Sequence, residues 1–508
     1  MYSTVRTSML EGIHAVPVRV EVNISPGLPG FEMVGFLSPE VREAKERVRT
    51  ALHNCGIALP PKRITSNLSP ANIRKSGTGF DLAIAVALLA AMELIDAGRT
   101  ADMLFVGELN LKGELLPVSG ILPIVADGCL GGIKRFAVPG QNVREARLVQ
   151  DAQVYGFDSL NGLLAFLRTG EYRERLPLEK EEPKRQQGVD FAEVSGQEFL
   201  RRAAEVAAGG MHNLLMVGPP GAGKTMISER IATILPPLSG EERMELSRIY
   251  SVCGMLDSRT GLAGERPFRN PHHTISAVGL AGGGAALMPG EISLAHHGVL
   301  FLDELSEFDK PTLELLRQPL EEHEIRICRA SGSVTYPPAF LLLAAMNPCG
   351  CGYYPDMQKC RCSPSMLRRY MGRVSQPLID RMDLCVEAPP VSYEELTSHG
   401  GGECSADIRK RVQACHAIQR KRYAGLGFSH NSQIPAGLLT RFCELGGKER
   451  QYMERMYERM GLTARTYHKL LRVARTAADC EGSERIGLKH LKEAVCYRSI
   501  DNRFWGGV

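Results

Sequence analysis

Apolar and polar positions follow two different rhythms along this chain, and the switches between them divide it into regions. Over residues 1–169, short runs rich in β-branched and apolar residues (16–24, 103–111 and 136–138) predict strands, while the longer stretches 39–55 and 80–95 predict helices. That mixture is the pattern of an α/β domain. Residues 170–189 are charged, contain prolines and hold no sustained apolar period, which predicts an exposed linker. From 190 to 400, short apolar runs alternate with amphipathic helices, as expected of a parallel sheet covered on both faces in an αβα core. After a glycine-rich break at 400–402 the rhythm becomes helical and basic, at 408–422 and again at 448–479, predicting a helical lid over 401–508. No internal repeat interrupts this order.

Composition adds bounds. A chain of 508 residues exceeds what one hydrophobic core organises, in keeping with several domains. Its 44% hydrophobic and 23% charged residues are ordinary globular values, and a net charge of +4 over this length implies no nucleic-acid partner by itself. The first residues lack the basic start, apolar stretch and small-residue cleavage site of a secretory signal, so the expected location is cytoplasmic. The longest apolar run, 80–95, contains Asp81 and Glu93 and falls short of the roughly 20 residues a bilayer span needs; it reads as a buried helix, with no membrane partner. Fourteen scattered cysteines in such a chain argue against a disulfide framework, and the clustered ones invite a metal reading.

The chemistry is most legible at 213–235, where an apolar strand enters GPPGAGKT and continues into a helical pattern. Strand, glycine-rich loop and helix N-terminus together cradle phosphate: Gly218, Pro219, Pro220, Gly221, Ala222 and Gly223 present backbone N–H groups, Lys224 reaches the β and γ phosphates, and Thr225 offers a hydroxyl to Mg²⁺. A second apolar run at 298–305, GVLFLDEL, ends in Asp303, placed to order the Mg²⁺ shell, and Glu304, placed to polarise the attacking water. A third, 340–346, delivers Asn347 to the same sheet edge, where it can orient water or the γ phosphate. Farther on, Arg381 and Arg465 offer planar guanidinium groups suited to γ-phosphate charge. Together these predict an ATP hydrolase.

Three segments remain. Residues 266–298, with His272, His273 and a glycine run, read as an inserted loop; a metal on the paired histidines finds no Cys or acidic partner at ligand spacing. Residues 324–338 read as a hairpin turning near 331–332 and carrying Arg326 and Arg329. The sequence CGCGYYPDMQKCRC gathers Cys349, Cys351, Cys360 and Cys362, a ligand set for tetrahedral Zn²⁺, for which reduced structural cysteines and a redox pair are the alternatives. Nearby Lys359, Arg361, Arg368 and Arg369 are expected to lower the thiol pKa.

Several of these motifs carry a family resemblance. Residues 107–121 and 74–89 resemble the proteolytic domain of the Lon family, but Gly79 and Ile124 stand where that family has its serine and lysine, so no peptidase dyad is expected unless Ser76 substitutes. A Lon-like domain, an AAA+ core with PHHT and NPCGCG segments, and a helical lid follow one another as in the ComM/YifB family of magnesium-chelatase-like AAA+ ATPases. The resemblance implies that Asn347 is sensor 1, Arg381 a finger inserted into a neighbour's site and Arg465 sensor 2, in a homo-oligomeric ring, expected to be a hexamer. It also implies a helicase driving branch migration of single-stranded or branched DNA in recombination and natural transformation. The basic stretch 409–423 and the 324–338 hairpin are the residues that could meet such DNA. A chelatase subunit and a protein remodeller or Lon-like protease are the competing functions.

Overall fold

The computed structural model describes residues 1–172, 188–256, 261–284, 287–329, 332–391, 402–500 and 504–505. Most of the expected linker (173–187) and the expected break at 400–401 lie outside the described residues.

The N-terminal region is α/β, as its pattern predicts. Its seven-stranded mixed sheet runs in the order Gly30–Val34, Arg63–Ser69, His14–Ser25, Tyr2–Glu11, Met103–Phe105, Arg135–Pro139, Gln153–Phe157. The first strand, Tyr2–Glu11, is absent from the sequence-based expectation because serines and threonines dilute its alternation; it pairs antiparallel with the second through Glu11↔His14. The run expected at 103–111 is interrupted: only Met103–Phe105 joins the sheet, and Glu108–Leu109 turns into a short ribbon with Leu115–Leu116. Helix Asp81–Ala91 is buried along its whole length, which is why its sequence shows no polar face. Its buried Asp81 is held by Arg47 through bonds of 2.7 and 2.9 Å, the pairing that a desolvated carboxylate requires.

The central region is built on five parallel strands in the order Phe268–Arg269, Val299–Leu302, Leu341–Met346, Leu214–Val217, Leu384–Glu387. Val299–Leu302, Leu341–Met346 and Leu214–Val217 are buried at every position, the mark of a sheet with helices on both faces. Because Leu341–Met346 lies between the other two, whatever follows these three strands converges at one sheet edge.

The C-terminal region is helical: Ser405–Arg422, Gly447–Met460, Ala464–Cys480 and Leu488–Cys496. The helical stretch expected at 448–479 is two helices, parted at Gly461, whose φ of +60° ends the first. These helices share one hydrophobic core with helix Glu198–Gly210 of the central region. Polar bonds lock the two together: Arg411 to Glu205 at 2.6 Å, His416 Nε2 to Ala208 O at 2.9 Å and Gln419 Nε2 to Gly209 O at 2.6 Å. The N-terminal region docks on the opposite side of the core, through Arg248 to Asp127 at 2.6 Å and Gly120 N–H to Ser251 O at 2.9 Å.

Candidate nucleotide site

The phosphate loop leaves strand Leu214–Val217 and ends where helix Lys224–Ile234 begins. Its glycines serve two distinct needs. Gly221 and Gly223 have φ of +77° and +70°, backbone that side chains rarely adopt. Gly218 instead lies under Ala388, whose carbonyl oxygen would stand 2.2 Å from an added Cβ. A residue outside the motif braces the loop: buried Gln197 donates from Nε2 to Ala222 O at 2.6 Å. No local sequence signal marks Gln197.

Three strand ends converge beside this loop. Lys224 Nζ donates to Gly218 O (2.7 Å), Pro219 O (2.9 Å) and Asn347 Oδ1 (3.3 Å). Burial draws the lysine below its ordinary pKa, with Asp303 opposing. Thr225 Oγ1 donates to Asp303 Oδ2 at 2.7 Å, so the hydroxyl and carboxylate expected at Mg²⁺ lie together. Glu304 has a left-handed backbone (φ +51°), held by its own N–H to Asp303 Oδ1 at 2.9 Å. Such a conformation in a non-glycine residue costs about 1–3 kcal/mol and persists only where the surroundings enforce it. Lys224, Thr225, Asp303, Glu304, Asn347 and Tyr370 line a cleft of about 570 Å³.

The insertion expected to be loop contains regular elements. It holds helices Ala277–Ala281 and Glu291–Leu294 and a ribbon pairing Gly282–Gly283 with Met288–Pro289. His272 and His273 do not converge on a metal-ligand set: His272 Nδ1 meets Thr274 Oγ1 at 2.9 Å, whereas His273 Nδ1 lies 3.3 Å from Glu304 Oε2. Sequence reasoning missed this second contact, since nothing local ties the two segments. The hairpin forms as expected from Ile325–Arg329 and Gly332–Tyr336, with Arg326 exposed; its turn residues 330–331 and the Arg329 side chain lie outside what is described.

Arg381 and Arg465 lie elsewhere. Both meet one carboxylate, Glu321: Arg381 by a short ion pair and Arg465 at 3.3 Å. They line a separate cleft of about 190 Å³ with Lys469 and Arg472, and neither lines the cleft at Lys224. Among the described residues, three of the six basic residues in the stretch 409–423, expected to offer charge to DNA, are ion-paired within the chain, Lys410 with Asp407 included. Arg411 pairs with Glu205 and Glu403, Arg422 with Asp479, and Arg409 donates to Thr233 O.

The four cysteines follow Asn347 directly. Their sulfurs are separated by 3.3 Å (Cys349–Cys351), 3.8 Å (Cys349–Cys360), 3.6 Å (Cys351–Cys360) and 3.5 Å (Cys351–Cys362). A tetrahedron with Zn–S bonds of about 2.3 Å has edges of about 3.8 Å, and a disulfide would need about 2.05 Å. The donor set therefore fits zinc, and the four sulfurs are not joined as disulfides. The expected lowering holds for Cys351 alone and has another cause: the Tyr353 backbone N–H, rather than nearby Lys and Arg side chains, leads in holding Cys351 down to about 6. Against opposing backbone bonds, burial and the neighbouring thiols push Cys360 up to about 12 and Cys362 up as well. This loop also walls the nucleotide cleft. Gly350 lines it, and Gly352 packs so tightly on the phosphate loop that an added Cβ would stand 2.7 Å from Pro220 Cδ.

Among the described residues, Glu245, His296 and His297 also converge. There the Ala339 N–H donates to His296 Nδ1 at 3.0 Å, so the neutral ring carries its proton on Nε2, facing Glu245 at 3.3 Å. That nitrogen has no lone pair for a metal.

Comparison with known proteins follows the same division. Residues 190–396 match the family described as magnesium chelatase, subunit ChlI; residues 20–142 match subunit ChlI of Mg-chelatase; residues 402–498 match the ChlI C-terminal family. The protein YifB of Salmonella typhimurium is 41% identical over 498 residues, covering 98% of this chain and 97% of that protein. Competence protein ComM of Haemophilus influenzae is 40% identical over 505 residues, 97% of this chain and 96% of that one. A shorter likeness, 24% over 148 residues, is to Lon protease 1 of Hydrogenovibrio crunogenus, covering 28% of this chain and 18% of that protein.

Proposed function

Because the chain belongs to the ComM/YifB family of magnesium-chelatase-like AAA+ ATPases, we propose that it is a ring-forming ATPase motor that moves along DNA and migrates branched junctions. The observation that carries the ATPase half is the convergence of Lys224, Thr225, Asp303, Glu304 and Asn347 at one sheet edge. In this reading the loop N–H groups and Lys224 bind the triphosphate, and the helix N-terminus behind them favours its negative charge. Glu304 takes the proton of the attacking water, while Asn347 orients that water or the γ phosphate. Thr225 and Asp303 would hold Mg²⁺, which supplies charge neutralisation at the transferring phosphoryl group. Cys349, Cys351, Cys360 and Cys362 would hold Zn²⁺, which supplies a structural cross-link behind the site.

Arg381 and Arg465 sit outside this chain's own cleft, and that separation favours their action on a neighbour's nucleotide. A heterologous contact of this kind closes into a ring, and six subunits is the size the family suggests. Support for DNA comes from exposed Arg326 on the hairpin and from the relative named as a competence protein. A Lon-like protease is disfavoured, because Ile124 is buried in an apolar cluster rather than offering a base. A chelatase role has the family descriptions in its favour. Binding of labelled branched DNA against salt separates the two: the motor predicts affinity that falls steeply as salt rises. No binding at low salt, with ATP turnover indifferent to DNA, would exclude it.

A further inference from the structure

A two-stranded hairpin standing alone in water is marginally stable and needs its apolar face packed on something else. In the hairpin of Ile325–Arg329 and Gly332–Tyr336, Ile325, Ile327, Val334 and Tyr336 are buried, whereas Arg326, Cys328, Ser333 and Thr335 are exposed. The register pairs Ile327 with Val334 and Arg326 with Thr335, so the two sets occupy opposite faces. The insertion supports the buried face from one side, where Tyr336 OH donates to Leu287 O at 2.7 Å.

The N-terminal domain supports it from another. Its strands Tyr2–Glu11 and His14–Ser25 are joined by Gly12 and Ile13, a two-residue turn closed by the pair Glu11↔His14. Gly12 has φ of +64°, and a Cβ added there would stand 2.2 Å from Val334 Cγ1. Glycine is thus required twice, by the turn and by the close approach to the hairpin. Ile13, only 8% exposed, lies in one apolar cluster with Ile325, Ile327, Val334 and Tyr336. The turn is itself anchored to the motor: Asp127 accepts from the Ala15 N–H at 2.8 Å and from Arg248 Nη2 at 2.6 Å, and Arg248 belongs to helix Gly240–Val252.

We propose that the N-terminal domain is a brace for this hairpin, with Ile13 the positioning residue that holds its buried face so that Arg326 is presented to a polyanion. The role needs no peptidase chemistry. It rests on the nucleic-acid reading of the hairpin for the identity of the polyanion, and on the packing alone for the brace. A hairpin released from Ile13 must be ordered at the moment of binding, and that entropy cost weakens affinity.

The test takes full-length wild type, Ile13→Asp, Ile13→Ala, Ile13→Val, Arg326→Ala and the double variant Ile13→Asp with Arg326→Ala through two measurements. Amide hydrogen exchange without nucleic acid reads the brace. In Ile13→Asp, exchange across both hairpin strands should be faster by about tenfold or more, while strands Leu214–Val217 and Leu341–Met346 keep wild-type rates. Ile13→Ala should show the same pattern at smaller size, and Ile13→Val should match wild type. Binding of fluorescent single-stranded oligodeoxythymidine over a salt series reads the consequence. Ile13→Asp and Arg326→Ala should each weaken binding by about tenfold and lower the salt slope by about one. The double variant should bind no more weakly than the weaker single, because both changes remove the same contact. Unchanged hairpin exchange in Ile13→Asp would overturn the inference, and so would additive losses in the double variant. Should Ile13→Asp unfold the whole chain, Ile13→Ala decides by the same criteria. If wild type binds no oligonucleotide at low salt, the nucleic-acid reading fails, while exchange still decides whether the N-terminal domain braces the hairpin.

Discussion

If Arg381 completes a neighbour's site, two inactive variants should rescue each other. Within one chain Arg381 is paired with Glu321 and donates to Pro377 O, outside the cleft that holds Lys224 and Glu304. Turning toward a neighbour's γ phosphate gives up an ion pair whose carboxylate is 45% exposed but whose arginine is only 7% exposed, so a charged hydrogen bond worth about 1.5–3 kcal/mol is lost. An arginine finger is worth roughly 10³–10⁵ in kcat, or about 4–7 kcal/mol at about 1.4 kcal/mol per tenfold, so the exchange is favourable at the transition state. Arg381→Ala should lose turnover by that factor, and Glu304→Gln should lose roughly 10²–10⁴. In a ring assembled at random from equal amounts of both, a site works when an Arg381→Ala subunit is followed by a Glu304→Gln subunit donating its arginine. Each position is filled correctly half the time, so about a quarter of the sites are competent. Coexpression with two affinity tags, purification of mixed assemblies and an ATPase assay read this directly. A mixture no more active than its better component would refute an arginine acting between subunits.

Three other outcomes follow from the geometry. Protein purified without added metal should contain one zinc per chain by elemental analysis, and Cys360→Ala should lose it; a stoichiometry near zero in wild type would remove the metal from the account. Because the same loop packs on Pro220, displacing the zinc with a mercurial should weaken binding of a fluorescent ATP analogue, and unaltered binding would separate the two sites. Burial holds His416 down to about 4 from its ordinary 6.5, so the unfolded chain takes up its proton first as pH falls. The stability of the lid on its core should therefore be intact above about pH 6.5 and decline toward pH 4, by up to about 3 kcal/mol at about 1.4 kcal/mol per unit; urea midpoints for His416→Gln should be flatter over that window, and identical slopes would contradict the assignment.

Contiguity in the chain decided what the sequence made legible. The phosphate loop, the Asp303–Glu304 pair and Asn347 each follow an apolar run, and a parallel sheet must deliver such residues to one edge. The fold class followed from the same runs. What escaped depends on groups distant in sequence. Glu321 lies 144 residues from Arg465 yet pairs with it, and Gln197 braces Ala222 from a separate loop. The pairing of Arg411 and Arg422 within the lid's basic stretch also escaped, because their partners Glu205 and Asp479 lie outside it. The contact of His273 with Glu304 arises from an edge strand only two residues long, too short for any periodicity to reveal.

The central claim is that ATP hydrolysis at this site drives strand movement in branched DNA. A labelled three-strand junction with ATP and Mg²⁺ tests it most directly, comparing wild type with Lys224→Ala and Glu304→Gln. The account predicts ATP-dependent strand displacement by wild type alone, with Lys224→Ala failing to bind nucleotide and Glu304→Gln binding without turnover. Displacement by either variant at the wild-type rate, or none by a wild type that hydrolyses ATP on the same junction, would contradict it.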